Sequence, residues 1–242
     1  MRDSLRHATA EFIGIFALVF IGGGAIMMGK DALGGRLEVA LAHGLILSIM
    51  ITATMRVSGH LNPAVTLGFL VTRRIEPMMA GIYIVAQLLG AMVAAYALKA
   101  TFPDAMFLAT RGGGQMISLD ITSTQAILLE AIATFFLTFA VFGTAVDPQA
   151  PKVGGFAIGL VVAVDILAIG PLTGASMNPA RSFGPAVASG IFEGQFIYWV
   201  GPIIGSCLAA LLYDRLFLPR AAEELAHGAV RPAGGAPRVH GA

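Results

Sequence analysis

The chain reads as an all-α membrane protein, with six spanning helices and two half-helices arranged as an inverted repeat. Three observations predict this. Of its 242 residues, 57% are hydrophobic and only 12% charged, and the mean hydropathy is +0.81; soluble domains carry about 25% charged residues. Six apolar stretches are long enough for a hydrocarbon core of about 30 Å, which takes about 20 helical residues to cross. The tripeptide Asn-Pro-Ala occurs twice, as Asn62-Pro63-Ala64 and Asn178-Pro179-Ala180, each time after an apolar span and before a short apolar run. The net charge of +1 argues against a nucleic-acid partner. The lone Cys207 leaves no disulfide framework and no thiolate metal site.

The first span covers about Ala8–Met28. Arg2 and Arg6 ahead of it suggest a signal peptide, but the run is long enough to span and carries Glu11, so it reads as a transmembrane helix. The others lie at about Leu37–Met55, Met78–Lys99, Ser123–Val146, Val153–Gly170 and Phe196–Leu218. An even number of spans puts both termini on one face. That face receives Arg2, Arg6, Arg56, Arg73, Arg74, Lys152, Arg215, Arg220, Arg231 and Arg238, against Lys30, Arg36, Lys99, Arg111 and Arg181 on the other. The excess of positive charge places the termini in the cytoplasm, and the protein is expected in a cell (inner) membrane. Tyr198 and Trp199 open the sixth span as an interfacial aromatic belt. The tail from Ala221 is rich in Pro, Gly and Ala and reads as disordered. Residues 1–220 then form one membrane domain, its halves at about 8–100 and 123–218.

Each Asn-Pro-Ala starts a helix, because Asn is a favoured N-cap and Pro suits the first helical position. The helices, Pro63 to about Thr72 and Pro179 to about Ser189, reach roughly 15 Å each, half of the hydrocarbon core. Meeting end to end they cross it together, with their positive N-termini and asparagine amides facing at the midplane. An Asn-Pro pair can mark a plain turn, but here the context repeats. Glu11 corresponds to Glu130 at an offset of 119, the tripeptides at 116, and AQLLGAMVAA to GPIIGSCLAA at 115. With three spans in each half, the second half lies inverted relative to the first, which places a binding or conduction site at the repeat interface.

The stretches SGHLNPAVTLG and TGASMNPARSFGPA among six spans resemble the aquaporins of the major intrinsic protein family. The resemblance covers the chain to about Arg220. It implies a homotetramer with one pore in each protomer, water and small neutral solutes as permeants, the lipid bilayer as surroundings, and neither cofactor nor metal.

Arg181 carries the most information. Within the first turn of the second half-helix its charge opposes the helix dipole by about 0.3–1 kcal/mol, and an intramembrane Arg costs more, so stability does not account for it. One reading is a fixed donor lining the outer pore and repelling cations; the other is an Arg snorkelling to the interface. The resemblance supplies three filter partners for it, His43, Ile166 and Ala175. Strict water channels of the family place an aromatic at the first of these positions and a His at the second. The present set is instead similar to the tonoplast intrinsic proteins of plants, which implies that ammonia, hydrogen peroxide and urea also pass. His43 alone reads equally as a packing histidine. The glycerol-conducting branch has Asp and then a basic residue after the Arg; Ser182 and Phe183 stand there, so a glycerol facilitator is the alternative.

Glu11 and Glu130 are acids inside spans. Each is expected to accept backbone N–H groups of the irregular segment before a half-helix, the competing reading being the proton-coupling pair of a secondary transporter. His60 is expected to line or brace the inner vestibule. Asp165, rotated about 100° from Ile166, is expected to be a buried, hydrogen-bonded or paired acid. An enzyme has little behind it: there is no HExxH, no glycine-rich phosphate loop and no Ser/His/Asp arrangement that can be placed.

Overall fold

The computed structural model describes residues 2–29, 35–151 and 153–218. Lys30, Lys152, Arg220, Arg231, Arg238 and the tail expected to be disordered lie outside the described residues. The described chain is helical throughout, without a strand. Its order is α1 (Arg2–Met28), α2 (Gly35–Thr54), α3 (Pro63–Val71), α4 (Pro77–Thr101), α5 (Asp104–Ala109), α6 (Ser123–Val141), α7 (Phe156–Thr173), α8 (Pro179–Ser189) and α9 (Ile197–Leu216). Six of these, α1, α2, α4, α6, α7 and α9, are long and apolar enough to cross a membrane, and they coincide with the six predicted spans. Helix α6 runs on into a π-helical turn, Phe142–Val146. Helix α7 starts three residues later than expected, at Phe156, because Gly154 turns the chain at φ 59°. Between α4 and α6 the chain forms α5 and a 3₁₀ turn, Arg111–Gly113, where no element was predicted; pieces this short show no hydrophobic period.

Local signals set the ends. Thr122 and Gln125 form a reciprocal capping box at the start of α6. Gly174 and Gly190, both left-handed, end α7 and α8. Helices α3 and α8 have 9 and 11 residues and reach only halfway through a bilayer.

Helix α1 packs along α4, and its repeat partner α6 along α9. Both contacts need a glycine. A Cβ on Gly90 would sit 2.5 Å from the Phe12 carbonyl, and one on Gly205 would sit 1.9 Å from the Ala131 carbonyl. The register is the repeat's own: Gly90 and Gly205 differ by 115, Phe12 and Ala131 by 119. Helices α2 and α7, one from each half, pack on each other. The outward faces stay apolar and exposed, as at Ile13, Leu41, Val85, Leu128, Val164 and Leu208, which suits lipid or a second copy.

Candidate functional site

The site is assembled where α3 and α8 meet. Asn62 and Asn178 cap these helices from extended backbone, φ −161° and −150°. The Asn62 Oδ1 accepts from Ala64 N at 2.9 Å; the Asn178 Oδ1 accepts from Ala180 N at 3.0 Å and Arg181 N at 3.3 Å. The amide nitrogens reach across to the other half. Asn62 Nδ2 donates to the Met177 carbonyl and Asn178 Nδ2 to the Leu61 carbonyl, both at 2.8 Å. Each amide has a second N–H, and both residues border the inner cavity.

The residues that accept these bonds, Leu61 and Met177, hold positive φ of 48° and 53°. That conformation costs about 1–3 kcal/mol each and persists where the surroundings over-determine it. The two acids provide this. Glu11 accepts from His60 N at 2.9 Å, Leu61 N at 2.6 Å, Gln87 Nε2 at 2.7 Å and the Ser58 hydroxyl. Glu130 accepts from the Thr173 hydroxyl at 2.7 Å, Ser176 N at 2.9 Å and Met177 N at 2.7 Å. Both acids are fully buried, and each clamps the strained residue of its own half.

Arg181 is buried on the first turn of α8. Its Nη2 lies 2.7 Å from His43 Nε2, while His43 Nδ1 lies 2.8 Å from the Val39 carbonyl. The carbonyl can only accept, so Nδ1 carries the proton, and Nε2 of the neutral ring accepts from the guanidinium. His43 fits because Gly22 faces it; a Cβ there would come within 2.2 Å of Nε2. Gln115, with its amide oxygen turned to the guanidinium, accepts from Nη1 and from Nη2 at 3.2 Å. The sequence reading missed Gln115, which sits in the connection before α6 and meets Arg181 only through the fold. Arg181 Nε is buried without a partner.

Two cavities meet at Arg181. The outer one, about 600 Å³, is bordered by Val39, Gln115, Ile166, Gly174 and Arg181. The inner one, about 20 Å³, is bordered by His60, Asn62, Val65, Val162, Asn178 and Arg181. A water needs about 10–15 Å³ of such space, so this waist has room for about one water. Of the four residues the resemblance assigns to a filter, His43 and Arg181 touch, and Ile166 borders the outer cavity. Ala175 is fully buried at φ 45°; its neighbour Gly174 borders the cavity instead. His60 borders the inner cavity, its Nδ1 3.2 Å from Thr66 Oγ1 and its ring against Phe69 and Tyr83. Asp165 departs from expectation. It is buried, but its Oδ2 has no hydrogen-bond partner among the described residues.

Six spanning helices, with two half-helices facing each other across a narrow waist, define an integral multi-pass membrane protein of aquaporin-like fold. The chain belongs to the major intrinsic protein family, whose model, described as "Major intrinsic protein", matches residues 1–213. It is 43% identical over 234 residues to aquaporin TIP4-4 of Zea mays, covering 91% of this chain and 90% of that one. It is 40% identical over 249 residues to the probable aquaporin TIP3-2 of Arabidopsis thaliana, covering 95% and 90%. Among solved structures it is similar to the aquaglyceroporin from Plasmodium falciparum, with a TM-score of 0.75 and 27% identity over 88% of this chain and 96% of that one. Membership places the chain among channels rather than enzymes.

Proposed function

We propose that this protein is a passive channel for water, and for ammonia, hydrogen peroxide and urea, that excludes protons and other ions. The observation that carries the reading is the waist of about 20 Å³ between two helix N-termini, bordered by Asn62 and Asn178. Water entering from the outer cavity passes Arg181, whose five N–H donors exceed those taken by His43 and Gln115. It then accepts from the two asparagine amides. Two positive helix ends oppose cations there, and a water whose oxygen faces both amides cannot relay a proton. Ile166 offers the outer cavity no polar group, which supports passage of less polar solutes.

The rest of the molecule belongs to the same reading. Ala175 supports the filter from behind, through its neighbour Gly174 at the outer cavity, and His60 guards the inner mouth. Residues 1–220 act as one domain, four copies assemble into a tetramer, and the protein sits in the cell membrane with cytoplasmic termini. Glu11 and Glu130 are spent on backbone N–H groups, which supports a structural role over proton coupling. The likeness to an aquaglyceroporin favours glycerol as a second permeant; Ser182 in place of an Asp after Arg181 counts against it.

Stopped-flow light scattering of proteoliposomes tests the reading. A sucrose shock is expected to drive water flux linear in the osmotic gradient and insensitive to proton or sodium gradients. Saturable, gradient-driven flux would overturn it. Repeating the shock with urea and glycerol ranks the solutes.

A further inference from the structure

Two elements meet at the filter, and one lysine touches both. Helix α8 carries Arg181 on its first turn, and the connection through α5 and the 3₁₀ turn delivers Gln115. Lys99 lies in the last turn of α4, and its Nζ donates to the Ala188 carbonyl, near the end of α8, at 3.1 Å. The same ammonium stands 5.7 Å from the centroid of the Phe107 ring on α5, within the range of a cation–π contact. Phe107 is buried and packs on Gly112, where a Cβ would come within 2.7 Å of the ring. Gly114 in turn lies against α8, a Cβ there standing 3.3 Å from the Pro185 Cβ, and Gln115 follows directly. Lys99 therefore bridges the two elements at the closing turn of α8, while Gln115 and Arg181 meet at its opening turn.

Electrostatics and the repeat single this lysine out. The charge of Arg181 opposes the positive end of α8, and a cation at the closing turn suits the negative end. The first half has neither. Val65 stands at the position of Arg181, and Asp214 stands at the offset of 115 from Lys99. Arg74, just beyond α3, is spent on that acid at 2.7 Å. Other carbonyls near the end of each half-helix are served by a hydroxyl close by: Thr72 donates to Gly68 and Phe69, and Ser189 to Pro185 and Ala186. Among the described residues, a lysine reaching a half-helix from a spanning helix is confined to the half that carries Arg181.

We propose that Lys99 is a positioning residue of the filter. It holds α8 and the connection before α6 in one register, and so keeps Gln115 on the two Nη atoms of Arg181. Without the ammonium, α8 retains its Asn178 cap and its packing on α4. The connection, however, is free to draw back from Arg181, which widens the outer passage. Lys99 itself borders neither cavity, so its effect on permeants passes through the contact between Gln115 and Arg181.

The clamp rests on the channel reading, and one set of measurements separates the two. Urea and water permeability of proteoliposomes holding the full chain are measured by stopped flow. Lys99→Met keeps the stem and removes the charge. Its ratio of urea to water permeability is expected to rise about two- to threefold, the scale of a weak coupling within one contact network. Lys99→Arg returns a charge and donors to the place and is expected to keep the wild-type ratio. Gln115→Ala is expected to raise the ratio by itself. Adding Lys99→Met to it is expected to change the ratio no further, because the contact through which the lysine acts is gone. An unchanged ratio in Lys99→Met overturns the proposal whatever the folded yield, as does an equal shift with and without Gln115. Should Lys99→Met fail to fold, Phe107→Leu decides. It removes the ring beneath the ammonium and is expected to raise the ratio too; no change there overturns the clamp. A wild type that conducts no water overturns the channel itself.

Discussion

Arg181 sits at the junction of the outer cavity and the waist, and its neighbours fix what it can do. His43 and Gln115 hold the two Nη atoms, so the guanidinium plane is set from two sides. Replacing Arg181 with Val removes the charge and widens the passage. Cation leak and urea permeability are expected to rise at least about tenfold relative to water, the factor that 1.4 kcal/mol of lost discrimination represents. Unchanged ratios in reconstituted vesicles would remove Arg181 from the filter. Ile166→His adds a polar group to the outer cavity, and ammonia and peroxide permeability relative to water are expected to fall. Gly22→Ala acts through His43, whose Nε2 would be 2.2 Å from the new methyl. The ring must tilt away from Arg181, and the solute ranking is expected to shift with little change in folded yield. An unchanged ranking would show that the His43 to Arg181 contact does not set selectivity.

At the scale of elements, the half-helices hold because two acids clamp two strained segments. Truncating Glu130 to Ala strands the N–H groups of Ser176 and Met177 and the Thr173 hydroxyl. Each buried orphan costs about 1–3 kcal/mol. Together these approach the 5–15 kcal/mol that holds a whole domain, so Glu130→Ala is expected to abolish folded protein in detergent chromatography. Glu130→Gln keeps acceptor capacity and is expected to fold at reduced yield with selectivity intact; a well-folded Gln variant with proton-dependent flux would point to a carrier. The elements were legible because their signals are local: twenty-residue apolar runs, an Asn cap followed by Pro, a duplicated pattern. Gln115 was not legible, since its meeting with Arg181 depends on where the chain between α4 and α6 folds back. The hydrogen bond between Tyr83 and His7 was hidden for the same reason, 76 residues separating the pair. Asp165 was legible as buried, but sequence could not show that its Oδ2 would lack a partner among the described residues.

For the molecule as a whole, charge and apolar surface make the claims that remain. The excess of Lys and Arg on the face of the termini predicts a cytoplasmic N-terminus. An epitope added before Met1 is expected to be cleaved by protease in inverted vesicles and protected in right-side-out ones; the reverse would invert the orientation. The outward faces of α1, α2, α6 and α7 carry exposed apolar residues, and light scattering in mild detergent is expected to give about four times the protomer mass, as the family resemblance implies.

The crossed amides carry a consequence for origins. Asn62 reaches into the second half for a carbonyl and Asn178 into the first, so each repeat holds the capping amide of the other. Two copies of one half-length chain, inserted in opposite orientations and related by a dyad in the bilayer plane, would have made both bonds with a single asparagine. The reciprocal bonds are then the fossil of a symmetric dimer. Fusion freed the copies to diverge, and Arg181 opposite Val65 marks where one mouth became unlike the other.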